Sequence, residues 1–235
     1  MLFSNREVAA AINQWFEPIW ESVRDVPTVS VDFGHGVTVT RTLHGNIATW
    51  VCDSRGDVLD VLPGIYEPVT YVSRLDQLRL LANYVERPGS SPDRLRVYHQ
   101  GQAGALRHEQ PTPRFVNTAG MAKAAIERTT LAVLAPGVPE SGEAKAGSSL
   151  LTLAGAEREL GMDQDLWSRL IEDTRLNERQ RRLQIHDKLV FSKGVRPAEL
   201  TRWLYREVLH SDLDDPYLGL GDLLLGKYPF AREER

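Results

Sequence analysis

Two hairpin signals in succession, followed by a proline-started amphipathic helix, constrain this chain more than any other feature. Thr28 to Phe33 and Val37 to Leu43 alternate around Gly34-His35-Gly36, the period-two pattern of strands. Ile47 to Cys52 and Asp57 to Leu62 repeat it around Asp53-Ser54-Arg55-Gly56, and Pro63-Gly64 closes the unit. Asp and Gly supply the side-chain bonding and backbone freedom that such turns need. From Pro68 to Val85 the period changes: Tyr71, Leu75, Leu78 and Ala82 share one helical face, with Pro68 near the first turn, where its missing amide costs nothing.

Upstream, Ser4 and Glu7 read as a capping box and Phe3 with Val8 as a hydrophobic staple. Val8, Ile12, Trp15 and Phe16 recur at helical spacing until Pro18 intervenes, and Phe16 to Val23 reads as a strand rich in aromatic and β-branched residues. Downstream, Arg87 to Pro92 is a break. Helices are predicted at about 93–105, 119–135, 163–174, 177–192 and 197–210, with an extended stretch from Glu109 to Arg114. Asn177 is the expected cap of the fourth helix and Pro197 the first turn of the fifth. Pro136 to Ser148, with its Pro and Gly, is the clearest linker. The expected fold class is α/β or α+β: a partial sheet flanked by helices in 1–86, a connecting segment in 87–114 and a mainly helical region in 115–235.

Charge and composition exclude several functions. With 28 Lys+Arg against 32 Asp+Glu, the net charge is −4, which argues against a nucleic-acid partner held by bulk electrostatics. No apolar run reaches the eighteen or so residues of a membrane span. A single cysteine, Cys52, forbids an internal disulfide or a Cys-x-x-Cys site in this chain. Met1-Leu2-Phe3 is too short to be a signal peptide, so the expected location is cytoplasmic by default and is unknown if a segment precedes these residues.

Phe3-Ser4-Asn5-x-x-Val8, then Asn13-x-x-Phe16-x-Pro18-Ile19-Trp20, then a hairpin with a turn glycine, then Pro63-Gly64 and a helix, resembles the thioredoxin-like superfamily over about residues 3–86. The resemblance implies a helix whose N-terminus would carry Cys-x-x-Cys, where the dipole and free amides stabilise a thiolate. This sequence departs from that pattern. The dithiol is absent, the family's first β-α-β segment is absent, and Leu43-His44-Gly45-Asn46-Ile47 stands where the cis-proline would be. Either the chain begins inside a longer domain or another segment covers the gap in the sheet; a cap at residue 4 favours the first. A missing central strand would leave sheet edges with unpaired backbone groups. The resemblance therefore implies a binding or scaffold relative, or the remainder of a thiol-disulfide oxidoreductase whose cysteines lie upstream. No catalytic residue and no cofactor is assigned.

Other residues invite chemistry. His186, His210, Asp212 and Asp214 are candidate metal ligands if two helices pack antiparallel, because imidazole and carboxylate suit zinc or another transition metal. Asp214-Asp215-Pro216 equally reads as a helix cap, and His210 suits a helix C-terminus. Arg175, Arg179, Arg181, Arg182, Lys188 and Lys193 interleave with acids and read as a solvated helix face. Cys52 reads as a small packed side chain, and Arg55-Gly56-Asp57 as turn chemistry rather than an adhesion motif. Trp203 is expected to pack with Leu200, Leu204 or Val208, and the Leu-rich stretch after Leu218 to form an arm. A protein partner or a second copy, engaged through the helical region, is the remaining expectation.

Overall fold

The structure is a computed structural model that describes residues 2–26, 28–42, 47–87, 93–115, 131–132, 164–219 and 221. It is a mixed α/β protein whose centre is the second predicted hairpin, β3 (Ala48–Cys52) with β4 (Val58–Pro63). Both strands are short and strongly apolar, and their side chains go to two different layers. Val51, Leu59 and Leu62 point to a cluster with α1 (Arg6–Trp15) and α2 (Pro68–Val85), which contribute Val8, Ala11, Tyr71, Leu75, Leu78 and Leu81. Val58 and Val61, with Ala48, Trp50 and Cys52 alongside, meet Ile185, Leu189, Leu200, Leu204 and Val208 on the opposite side. One hairpin thus stands between two helical layers, which is why its strands need apolar residues on both faces.

The second layer comes from the helical half. Helix α4 (Gln164–Leu176) continues through a π-helical turn at Asn177–Arg181 into α5 (Arg182–Val190). Helix α6 (Pro197–Trp203) runs on into a second π turn, Leu204–Val208. Helix α3 (Arg94–Arg107) packs along α5. Near its end Gln77 of α2 bonds both backbone groups of Phe115, fixing β5 (Arg114–Phe115), which pairs with β6 (Leu131–Ala132). None of the described helices is long and apolar enough to cross a membrane.

Several expectations change. The helix cap is Asn5, whose side chain accepts from the amides of Glu7 and Val8 at 3.0 and 3.1 Å, so the Ser4–Glu7 box gives way to a cap one residue later. Phe3 meets the edge of Tyr71 and stays half exposed. Phe16 to Val23 forms no strand: Ile19 and Trp20 are 95% and 87% exposed, and among the described residues no strand runs beside them to pair with. The first hairpin forms as expected from β1 (Thr28–Asp32) and β2 (Thr38–Thr42), but it pairs with no other described strand. Asn177 is not a cap. It sits fully buried inside a continuous helix, and its amide donates to Ile65 O at 2.8 Å, a bond that ties the π turn to the start of α2. Leu131 and Ala132 are extended rather than helical. The rest of the helix expected at 119–135 and the linker at 136–148 lie outside the described residues.

Candidate functional site

Asp60 is the one charged residue in the run Val58-Leu59-Asp60-Val61-Leu62, and it is fully buried. A buried carboxylate needs a partner of opposite charge and hydrogen bonds for its remaining lone pairs. Arg182, the first residue of α5, supplies the charge: its Nη2 lies 2.8 Å from Asp60 Oδ2, and the guanidinium is itself buried. The Tyr98 hydroxyl donates to the same oxygen at 3.2 Å, and the Val61 amide to Oδ1 at 2.8 Å. Burial alone would raise the Asp60 carboxyl, but the charge of Arg182, its hydrogen bond and the neighbouring imidazoles together outweigh burial and hold the group well below the usual carboxylate range. Burial also pushes the Tyr98 phenol upward, so it remains a donor.

Two histidines complete the network, and their partners assign their protons. Arg182 can only donate, so His186 Nε2, 3.0 Å from its Nη2, is an acceptor. The proton of His186 is therefore on Nδ1, which donates to His99 Nδ1 at 2.9 Å. His99 in turn carries its proton on Nε2 and donates to Leu59 O at 3.1 Å. Both rings are neutral in this arrangement. Burial pushes His99 down to about 4 and His186 well below its ordinary value. Helices α3 and α5 and strand β4 are held together by this one chain of bonds.

Asp60, His99 and His186 present ligand atoms within 4.8 Å of one another, the metal-capable group among the described residues. The donor set does not fit a cation. Every ring nitrogen is already committed, and the permanent charge of Arg182 sits against both Asp60 and His186. Seating a metal would require expelling that charge from a buried site.

The four metal candidates of the sequence do not converge. His186 is inside this network, whereas His210 is exposed, with a positive φ of 51° where the chain turns away from the second π turn. Asp212 accepts from Arg206 at 3.1 Å, and Asp214 lies 3.6 Å from Arg206 and 3.4 Å from Arg202. Both carboxylates therefore serve arginines. Arg182 corrects the reading of 175–193 as a solvated face, since its guanidinium is buried. Arg74 and Glu178 form a further ion pair between α2 and the π turn. Cys52 is partly buried against Val58 and its neighbours, and burial with nearby Asp53 and Asp57 raises its thiol, the reverse of activation. Trp203 packs on the cluster that holds Leu200, Leu204 and Val208, with Lys188 over its ring at 5.5 Å.

Asp60, His99 and Tyr98 are absent from the candidates legible in the sequence. A charge flanked by two apolar residues on each side was the available signal, because such a residue is buried only with a partner. Which partner it takes depends on α3 and α5 meeting at β4, and sequence spacing does not contain that.

The network also decides the two edges of the hairpin. Gly64 N donates to Ile47 O at 2.7 Å. In an antiparallel ladder the bonded pairs alternate, so Thr49 and Val51 face Leu62 and Asp60, while Ala48 and Trp50 turn their backbone groups away from β4. On the β4 side most of the outward groups are satisfied or missing. Val61 O accepts from Arg182 at 3.2 Å, Val61 N donates to Asp60, Leu59 O accepts from His99, and Pro63 has no amide. On the β3 side, no described backbone group bonds to the outward edge of Ala48 or Trp50. One edge is closed by side chains and the other is open. No protein-family model, curated protein or solved structure matches this chain.

Proposed function

We propose that this protein is a non-catalytic binding module, a thioredoxin-like relative without a redox dithiol, that receives an extended segment of a protein partner along β3. The observation that carries this reading is the open outward edge of Ala48 and Trp50 beside a closed β4 edge. Unpaired amides and carbonyls on a strand are a template for another strand, and main-chain bonding of this kind recurs in peptide recognition. The polar network supports a binding role over catalysis: its groups are buried and saturated by one another. The order of α1, the β3–β4 hairpin and α2 is the part of the thioredoxin-like pattern that the chain retains, whereas the strand the pattern places at Phe16–Val23 does not form. Exposed apolar side chains at Ile19, Trp20, Val29, Val31 and Phe33 add surface that a partner would cover.

Selection from a random peptide library on the whole chain tests the reading, with Ala48→Pro as control. The outward amide of Ala48 makes no bond to β4, so proline removes an edge donor and leaves the hairpin paired. The expected result is enrichment of extended, β-branched or aromatic peptides that lose binding at least tenfold on Ala48→Pro; equal binding to both chains would overturn it. The companion form, in which these residues are the remainder of a thiol-disulfide oxidoreductase, is tested by the N-terminal sequence of the native protein. A second reading places the partner on the helical half. It is favoured by an open groove of about 570 Å³ lined by Lys188, Phe191 and Trp203, with Phe191 90% exposed.

A further inference from the structure

We infer that the occupant of the β3 edge is the β3 strand of a second copy of this chain, which makes a four-stranded sheet across a two-fold axis at Trp50. The inference rests on the binding reading above and names its partner.

Three features of the strand point to a copy of itself. The first is symmetry. An antiparallel partner needs outward groups on alternate residues, and Ala48, Trp50 and Cys52 occupy alternate positions of one strand. With the axis at Trp50, each Trp50 amide meets the other Trp50 carbonyl, and Ala48 falls opposite Cys52 of the second copy. Small residues then flank a central aromatic pair, a favourable cross-strand combination. The second is charge. Ala48-Thr49-Trp50-Val51-Cys52 carries none, so nothing on the strand repels an identical strand. Edge strands that stay solitary commonly carry lysine, proline or an inward charge. The third is closure. The β4 edge is occupied by Arg182, His99 and Asp60 and ends in Pro63. Pairing through β3 therefore uses each chain's only open edge of this hairpin, and growth stops at two copies rather than running on as a filament.

Mass measurement by light scattering on the full chain, over a hundredfold range of concentration, tests the inference. The expected result is a concentration-dependent shift to the mass of two chains, and at least tenfold weaker self-association for Ala48→Pro. A second variant, Ala48→Cys, remains informative if the proline variant does not fold. In the paired sheet its thiol lies opposite Cys52 of the other copy, with Cα atoms about 5.5 Å apart, inside the range a disulfide accepts. Within one chain the same two residues lie about 13 Å apart along the strand and cannot bridge. Mild oxidation should therefore give a reducible dimer. A chain that stays a monomer, a dimer indifferent to Ala48→Pro, or Ala48→Cys that never cross-links would each overturn the proposed pairing. If peptides bind wild type and not Ala48→Pro while the chain stays monomeric, only the second copy falls. If neither binding nor self-association responds to Ala48→Pro, the binding reading falls with it.

Discussion

Acidification should destabilise this protein through His99 and His186, and the size of the effect follows from their burial. Neither ring can accept a proton without breaking the donor order from Arg182 to Leu59 O. Burial pushes His99 down to about 4 and His186 well below its ordinary value, whereas an unfolded histidine titrates near 6.5. Below pH 6.5 the unfolded chain thus binds more protons than the folded one. Stability is full above that value and is lost as pH falls toward the folded values, at up to about 1.4 kcal/mol per pH unit for each ring. Between pH 7 and pH 5 each histidine costs about 2 kcal/mol, and both together about 4 kcal/mol. That is a large part of the 5–15 kcal/mol typical of a folded domain. Asp60 adds its own loss only at lower pH, because its folded value is depressed and its ionic contribution persists above the unfolded carboxylate range. Urea unfolding midpoints at pH 7, 6 and 5 measure the effect. His99→Gln, whose amide can accept from His186 and donate to Leu59 O, should reduce the pH 7 to 5 loss to about 2 kcal/mol. A midpoint that does not move over this range, or a variant with the same pH dependence as wild type, would refute the assignment of two buried neutral rings.

Other substitutions probe single joints. Arg182→Met should cost about 3–5 kcal/mol in urea unfolding, because it leaves the Asp60 carboxylate buried without its cation and takes the donor from Val61 O and His186; a loss under about 1 kcal/mol would mean that the carboxylate is neutral or wet. Asn5→Ala should lower stability by about 1 kcal/mol and Ser4→Ala by far less, since the cap bonds belong to Asn5; equal effects in thermal melts would return the cap to Ser4. Gly64→Ala should destabilise by about 1 kcal/mol or more, because Gly64 has a φ of 71° and an added Cβ would lie 3.2–3.3 Å from Arg181 and Asn177; an unchanged melting midpoint would contradict that crowding.

The legible part of the fold was local. The hairpins at 28–42 and 48–63 and the Pro68 helix follow from alternation, turn residues and the position of proline, all of which act between residues close in sequence. Pro197 at the start of α6 is a similar case. The segment from Phe16 to Val23 shows where local reasoning stops. Its composition suits a strand, but a strand exists only if a neighbour pairs with it, and here Ile19 and Trp20 face solvent. Asn177 failed in the opposite direction: its side chain prefers caps, yet the carbonyl of Ile65 gives it a partner inside a helix.

The sequence by itself determined that the chain is mixed α/β and that its one cysteine, Cys52, forms no Cys-x-x-Cys pair within these residues. Those conclusions rest on composition and short-range pattern. Tertiary structure alone decided that Arg182, His99, His186 and Tyr98 converge on Asp60, and that in doing so they close β4 and leave β3 open. They come from three stretches of the chain, Asp60, Tyr98-His99 and Arg182 with His186, that lie tens of positions apart, and only the packing of α3 and α5 on the hairpin brings their hydrogen-bonding groups within reach of one another.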